Sequence, residues 1–374
     1  MFMTRLSFFL FFLAFFGGVF AEQGPTPEQI AYYKSHQESV RELENVELTA
    51  ELLLLTSSLS TTYSEAAVIY NLGMFNNPVP VFNQKDESIN PDYNFGYRVK
   101  ALYRIPPTRN ALYAGYTYIK NNGDGNLNTD NTFVLQNGTL QRSIQKDFGE
   151  QHLHLHIADL IVMRRFPMYE HISFALGGGL AFNDFHYFFS LHNDDHLITT
   201  GAQGAPFTTY EAEVKSQRKT RIWGLGPKLE WHFGFHFTKM SWRHDVSVNF
   251  ALQIATFFSK IWSRGTYSIL ADSSLAGVDQ PRLVDVGKWT DNAKFQVIPN
   301  INLDLGLHYK YEWPNNVSLM VIGGYRTYLY AELKEVNRIL TYRINSTSVI
   351  ADIASRDKDT FILAGPYLRL TVGF

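Results

Sequence analysis

Cysteine is absent from the 374 residues. A chain of this size therefore folds without disulfides, which argues against a small stapled secreted module, and zinc sites built on thiolates are excluded. Long apolar runs are missing as well. Past the first twenty or so residues no stretch reaches the ~18 uncharged apolar positions that a membrane-crossing helix needs, so no α-helical span is expected. Charge of one sign is also lacking. The 33 Lys and Arg stand against 35 Asp and Glu, a balance that gives no indication of a nucleic-acid partner. Mean hydropathy is close to zero, at -0.16, which is compatible with a wall that is apolar on one face only.

What the chain does have is aromatic residues, 15% of the total with 21 Tyr and 29 Phe, and strict alternation. Residues 359–374 read DTFILAGPYLRLTVGF. Ile362, Ala364, Leu368, Leu370, Val372 and Phe374 share one parity, and Gly365, Tyr367, Arg369, Thr371 and Gly373 the other. A strand with one oily face that ends on Phe374 reads as the closing strand of a β-barrel in a bacterial outer membrane, and as the signal by which barrel-assembly machinery engages it. The other end agrees. Residues 1–21 carry one positive charge at Arg5, an apolar run from Leu6 to Phe16, and small residues at Val19 and Ala21, the pattern of a cleaved secretory signal peptide. Residues 22–45 read as a short N-terminal segment with a helix capped by Thr26 and opened by Pro27, either periplasmic or a lumen plug. The barrel itself is expected over 46–374.

Period-2 patterning predicts strands at 46–59, 93–104, 110–120, 151–165, 172–186, 220–237, 245–258, 295–313, 317–332 and 359–374. The intervals between them are 33, 5, 30, 6, 33, 7, 36, 3 and 26 residues. Long and short intervals alternate without exception, as in an all-β, up-and-down antiparallel transmembrane barrel with long extracellular loops and tight periplasmic turns. About ten strands is the simplest count, within a range of about 8 to 14. The short connections carry turn residues, as in IPPTRN at 105–110 and WPNN at 313–316.

Parity then assigns faces. In NINLDLGLHYKYEW (300–313), Ile301, Leu303, Leu305, Leu307, Tyr309, Tyr311 and Trp313 must face lipid, because Arg or Lys on that face costs ~2–4 kcal/mol at mid-depth. The same rule points Arg98, Lys100, Arg104, Lys228, Glu230, Asp304, Lys310, Arg326 and Arg369 into the lumen, with Glu51 as their main acidic company. Seven bases against three acids predict either a water-filled passage biased toward anions or a salt-bridged network that plugs a narrow barrel. Small hydrophilic solutes are the expected cargo of the first arrangement.

Other signals are weaker. His152, His154 and His156 share one strand face and are expected in the lumen with Leu153, Leu155 and Ile157 outside. That parity turns Asp159 toward lipid and so predicts a bulge or an interfacial position near it. HNDDH (192–196) is expected in a long loop; it could supply Asp194, Asp195 and His196 to a hydrolase at the rim, but no converging partner set accompanies it. NNGDGNLNTDN (121–131) offers Asp124, Asn126, Asn128 and Asp130 as oxygen ligands, yet Thr129 and Leu135 stand where a calcium loop needs Gly and Glu. No cofactor, metal or catalytic residue is expected, and the chain reads as a non-enzyme.

YNFGYRVKALYRIPP (93–107), ADLIVMRRF (158–166) and IWGLGPKLEW (222–231), in this order, resemble the Legionella-type major outer membrane protein family, from about Val46 to Phe374. The resemblance implies a Gram-negative outer-membrane barrel with porin-like activity and no catalytic residues. Expected partners are outer-membrane lipid and lipopolysaccharide, with a homo-oligomer possible in principle. The alternative is a surface adhesin or structural barrel with a closed lumen, acting through its extracellular loops.

Overall fold

The computed structural model describes residues 46–57, 61–63, 68–69, 87–91, 93–105, 108–134, 140–169, 171–200, 206–237, 244–275, 278–279, 281–313, 317–331, 338–344, 349–355 and 360–374. The expected signal peptide and N-terminal helix lie outside these residues.

Ten antiparallel strands close into a ring. They are β1 (Val46–Ser57), β2 (Asn94–Arg104), β3 (Asn110–Val134), β4 (Leu140–Tyr169), β5 (Ile172–Thr200), β6 (Pro206–His236), β7 (His244–Leu275), β8 (Leu283–Glu312), β9 (Ser318–Tyr330) and β10 (Phe361–Gly373). Each pairs with its chain neighbours, except that β1 meets β10 at the seam. Reciprocal backbone hydrogen bonds of 3.0 Å between Val46 and Phe374 pin the lower end of that seam. Closure leaves no edge in the ring, which is the condition for a sheet to stand in hydrocarbon.

The lipid-facing band follows from the alternation. On β4 it runs through Val162, Leu160 and Ala158, with Arg164 over the Phe166 ring toward its lower end. About ten residues at ~3.3 Å each, tilted by ~40°, give roughly the 25 Å of an outer-membrane apolar band. At its upper edge the outer wall changes character in a single row. Tyr97, Tyr118, His156, Asp184, Trp223, Lys260 and Phe295 are successive cross-strand partners from β2 to β8. Directly below that row stand Val99, Tyr116, Ala158, Phe182, Leu225, Phe258 and Val297, all non-ionic.

Beyond the band the strands continue. Most of the residues expected in the long loops between 121 and 150, 187 and 219, and 259 and 294 are strand, so three tall hairpins rise from the wall. These extensions meet water on their outer face and are patterned differently from the wall below, so a search for lipid-type alternation stops at the membrane edge. NNGDGNLNTDN and HNDDH therefore belong to strands β3 and β5, not to loops.

Two glycines permit close strand contact. A Cβ at Gly226 would meet the Thr256 carbonyl of β7, and one at Gly365 would meet the Leu54 carbonyl of β1.

Candidate functional site in the lumen

The lower lumen is charged, and its charges are paired. Arg98, Lys228, Glu230, Asp304 and Arg326 are buried on the inner face, and Lys100, Arg104, Lys310 and Arg369 are half-buried there. Period 2 puts them there: each sits between two lipid-facing residues of its own strand. Arg326 on β9 is ion-paired with Glu51 of β1 and with Asp304 of β8. Arg369 on β10 reaches the same two acids, at 2.7 Å each. The Tyr367 hydroxyl also donates to Asp304. A second cluster joins Arg98 to Asp159 at 3.3 Å, Lys228 to Asp159 at 3.0 Å, and Lys228 to Glu230 at 2.9 Å. The His232 ring lies 3.2 Å from Glu230, and the Lys100 ammonium sits 3.5 Å over the Tyr113 ring. Nearer the periplasm, Glu47 receives Arg104 and Arg165, His236 meets Asp245 at 2.7 Å, and Lys310 meets Glu312 at 3.1 Å.

Charges withdrawn from water need such partners, because an isolated ion in a poorly solvated lumen costs several kcal/mol. The sequence reading gave the lumen too few acids. Glu47, Asp159, Asp245 and Glu312 add four to Glu51, Glu230 and Asp304. Glu312 already lies on the inward parity of NINLDLGLHYKYEW, although it was not counted among the acids, and Glu47 was findable because it shares the parity of Glu51 on its own strand. Asp159 was assigned to lipid and is in fact buried in the lumen, with no bulge: the β3–β4 register runs unbroken past it, and the β4–β5 shift lies only at Pro167 and Tyr169.

The error began with the histidines. Leu153, Leu155 and Ile157 are buried inside the barrel, and His152, His154 and His156 stand outside. The outer wall gives each of these rings a partner. His156 and His154 share hydrogen bonds with the hydroxyls of Tyr116 and Tyr118, at 2.7 and 2.9 Å, and His152 with Asn122 at 3.0 Å.

The reason is an apolar layer across the lumen, directly above the charges. Nine strands contribute to it: Leu55, Ile119, Leu155, Phe185, Ile222, Phe257, Ile298, Tyr330 and Phe361, from β1 and β3 to β10 in turn. Phe185 on β5 and Phe361 on β10 are five strands apart either way around the ring. Their rings meet edge to face with centroids 5.4 Å apart. Tyr330 lies 6.0 Å from Phe361 and 6.4 Å from Phe257. Aromatic contacts of this kind add ~0.5–1.5 kcal/mol each beyond the area they bury.

The other candidates lie on the outer wall. His192 is 3.2 Å from Asp194 and 3.4 Å from Glu213, and the three ligand atoms lie within 4.8 Å of one another. Glu213 already accepts the Lys215 ammonium, and that hydrogen bond holds its carboxyl below the usual range. His196 meets Glu211 at 3.2 Å, and only the backbone of Asp195 is described. The patch is a ladder of cross-strand ion pairs open to water. Asp124 and Asn126 are exposed on β3.

The profile of a family described as Legionella pneumophila major outer membrane protein precursor matches residues 41–374. No curated protein matches the sequence. Among solved structures, the barrel is similar to the outer membrane protease OmpT from Escherichia coli, at 8% identity and a TM-score of 0.36, over 88% of this chain and 97% of that one. It is also similar to the P. putida toluene transporter TodX, at 7% identity and a TM-score of 0.26, over 90% and 92% of the two chains.

Proposed function

Because the chain belongs to the Legionella major outer membrane protein family and forms a closed barrel of the Gram-negative outer membrane, we propose that it is a surface barrel whose lumen is shut in its resting state. Its work is then done by the three tall hairpins that stand above the lipid. One observation carries this reading: Phe185 and Phe361 touch across the full width of the ring. A barrel of about this strand number is narrow enough to be filled by its own side chains, whereas clear aqueous channels belong to ~16 strands. The outer faces of the hairpins, with polar and charged side chains on rigid strands, suit recognition of a host or matrix surface. No catalytic role is part of the proposal.

The test is electrical. Mature protein, residues 22–374, is reconstituted in a planar bilayer and its folded state checked by heat-modifiable migration. Silence across a salt gradient is expected of the folded barrel, and discrete conductance steps from it would overturn the closed-lumen reading.

A second reading, passive diffusion of small hydrophilic solutes, is favoured by a different observation. Among the described residues, lumen-facing Asn183 Oδ1, Ser259 Oγ and Asn302 Oδ1 have no hydrogen-bond partner. Buried polar atoms of this kind are normally satisfied by water, so the lumen is wettable, and a passage would open if Phe361 and its neighbours moved aside. Anion preference would be weak in such a pore, because the lumen bases are matched by acids. A reversal potential near zero in the bilayer experiment separates a weakly selective pore from an anion-selective one.

A further inference from the structure

Above the lipid band, one part of the outer wall carries more cations than acids. Lys219 on β6 and Arg264 on β7 are direct cross-strand partners, both exposed and both on the outer face. Like charges placed opposite one another destabilise a sheet unless something neutralises them. Two residues along β6, Arg221 is aligned by Asp184, which accepts hydrogen bonds of 3.0 and 2.7 Å from it. Among the described residues no carboxylate is ion-paired with Lys219, Lys260 or Arg264. The Lys219 ammonium lies 5.5 Å over the Phe188 ring, and that of Lys260 lies 5.0 Å over the Trp262 ring. Lys260 therefore rests on an aromatic face in the row where the band ends, Arg221 lies one outward row above it, and Lys219, over Phe188, shares the next row up with Arg264.

The rows just above the band edge are where a lipid's phosphates lie, outside the hydrocarbon core. Paired guanidinium and ammonium groups over a flat wall suit a phosphate with an acyl chain beneath it, because guanidinium binds phosphate through two parallel hydrogen bonds and the apolar wall below receives the chain. We propose that Lys219, Arg221 and Arg264, with Lys260 at the band edge, form a binding site for the phosphorylated headgroup of an outer-leaflet glycolipid, the lipid A part of lipopolysaccharide. The glycolipid then supplies the negative charge that the Lys219–Arg264 pair lacks among the described residues. The inference rests on the outer-membrane placement and holds whether or not the lumen conducts.

The full mature chain, folded in a neutral detergent, is titrated with lipopolysaccharide, and bound glycolipid per barrel is measured by native mass spectrometry. The variants are Lys219→Ala with Arg264→Ala, and Lys219→Gln with Arg264→Gln in case the first does not fold. Lys215→Ala, which removes a cation already paired with Glu213, is the control. Wild type and the control are expected to bind alike, and the double variants at least about tenfold more weakly, since two charge-assisted contacts are removed. Dephosphorylated lipid A is expected to bind as poorly to wild type as intact lipid does to the variants. Unchanged binding by a folded double variant overturns the site. Displacement by millimolar inorganic phosphate overturns the glycolipid assignment in favour of free phosphate.

Discussion

His154 and Leu155 are neighbours in sequence and opposites in space, and the difference between them is measurable. Leu155 has no exposed surface and belongs to the apolar layer. Leu155→Ala is expected to cost ~2–5 kcal/mol, whereas His154→Ala on the outer wall should stay within ~0.5 kcal/mol; urea unfolding in detergent measures both. Equal costs would mean that the faces are assigned the wrong way round. The lumen charges give a second residue-level prediction. Arg326→Met leaves Glu51 and Asp304 sharing Arg369 alone and should cost ~3–5 kcal/mol. Adding Glu51→Gln, which removes one of the stranded carboxylates, should restore part of that loss. The inward positions of Arg98, Lys228 and Arg326 were legible because each lies within the membrane-level wall, where lipid outside forces polar side chains in. The positions of His154 and Asp159 were not. At the height of LHLHI the lumen is the oilier side and the outside is interfacial, so the usual inference from alternation to face reverses while the strand keeps its phase. Only the neighbouring strands reveal which environment lies where.

At the scale of elements, membrane-level strands were legible and their extensions were not. NFGYRVKALYR matches β2 almost residue for residue, because lipid demands a clean oily face. YEAEVKSQRKT, at 210–220, carries charges that water tolerates and lacks the oily face that marks a strand in lipid. It is nonetheless paired residue by residue with β5 and β7. The tall hairpins should therefore be separable from the wall. Removing 194–213 and joining Asn193 to Val214, which face each other in register, through an Asn-Gly turn should leave a barrel that inserts and migrates heat-modifiably. Loss of insertion would show that the β5–β6 extension belongs to the barrel's folding unit. Gly226→Val is the opposite kind of change, since its side chain would strike the Thr256 backbone, and it is expected to abolish folding although it alters no loop.

For the whole molecule, the question is what holds the lumen shut. Phe185→Ala together with Phe361→Ala removes the contact that crosses the ring and is expected to turn a silent barrel into one with measurable conductance, without change in migration. A double variant that folds and remains silent would assign closure to the ion pairs beneath. Those ion pairs also bear on time. Glu51 lies on β1, the first wall strand to be made, while Asp304, Arg326 and Arg369 lie on three of the last four wall strands, β8 to β10. An unfinished sheet with its first and last strands apart carries two arginines and one aspartate where Glu51 should join them, and that cluster is at ease only when the ends meet. The tetrad is complete only when the seam is zipped: an open sheet would leave an unbalanced charge at mid-height, so the same contacts that brace the finished wall require that it be finished.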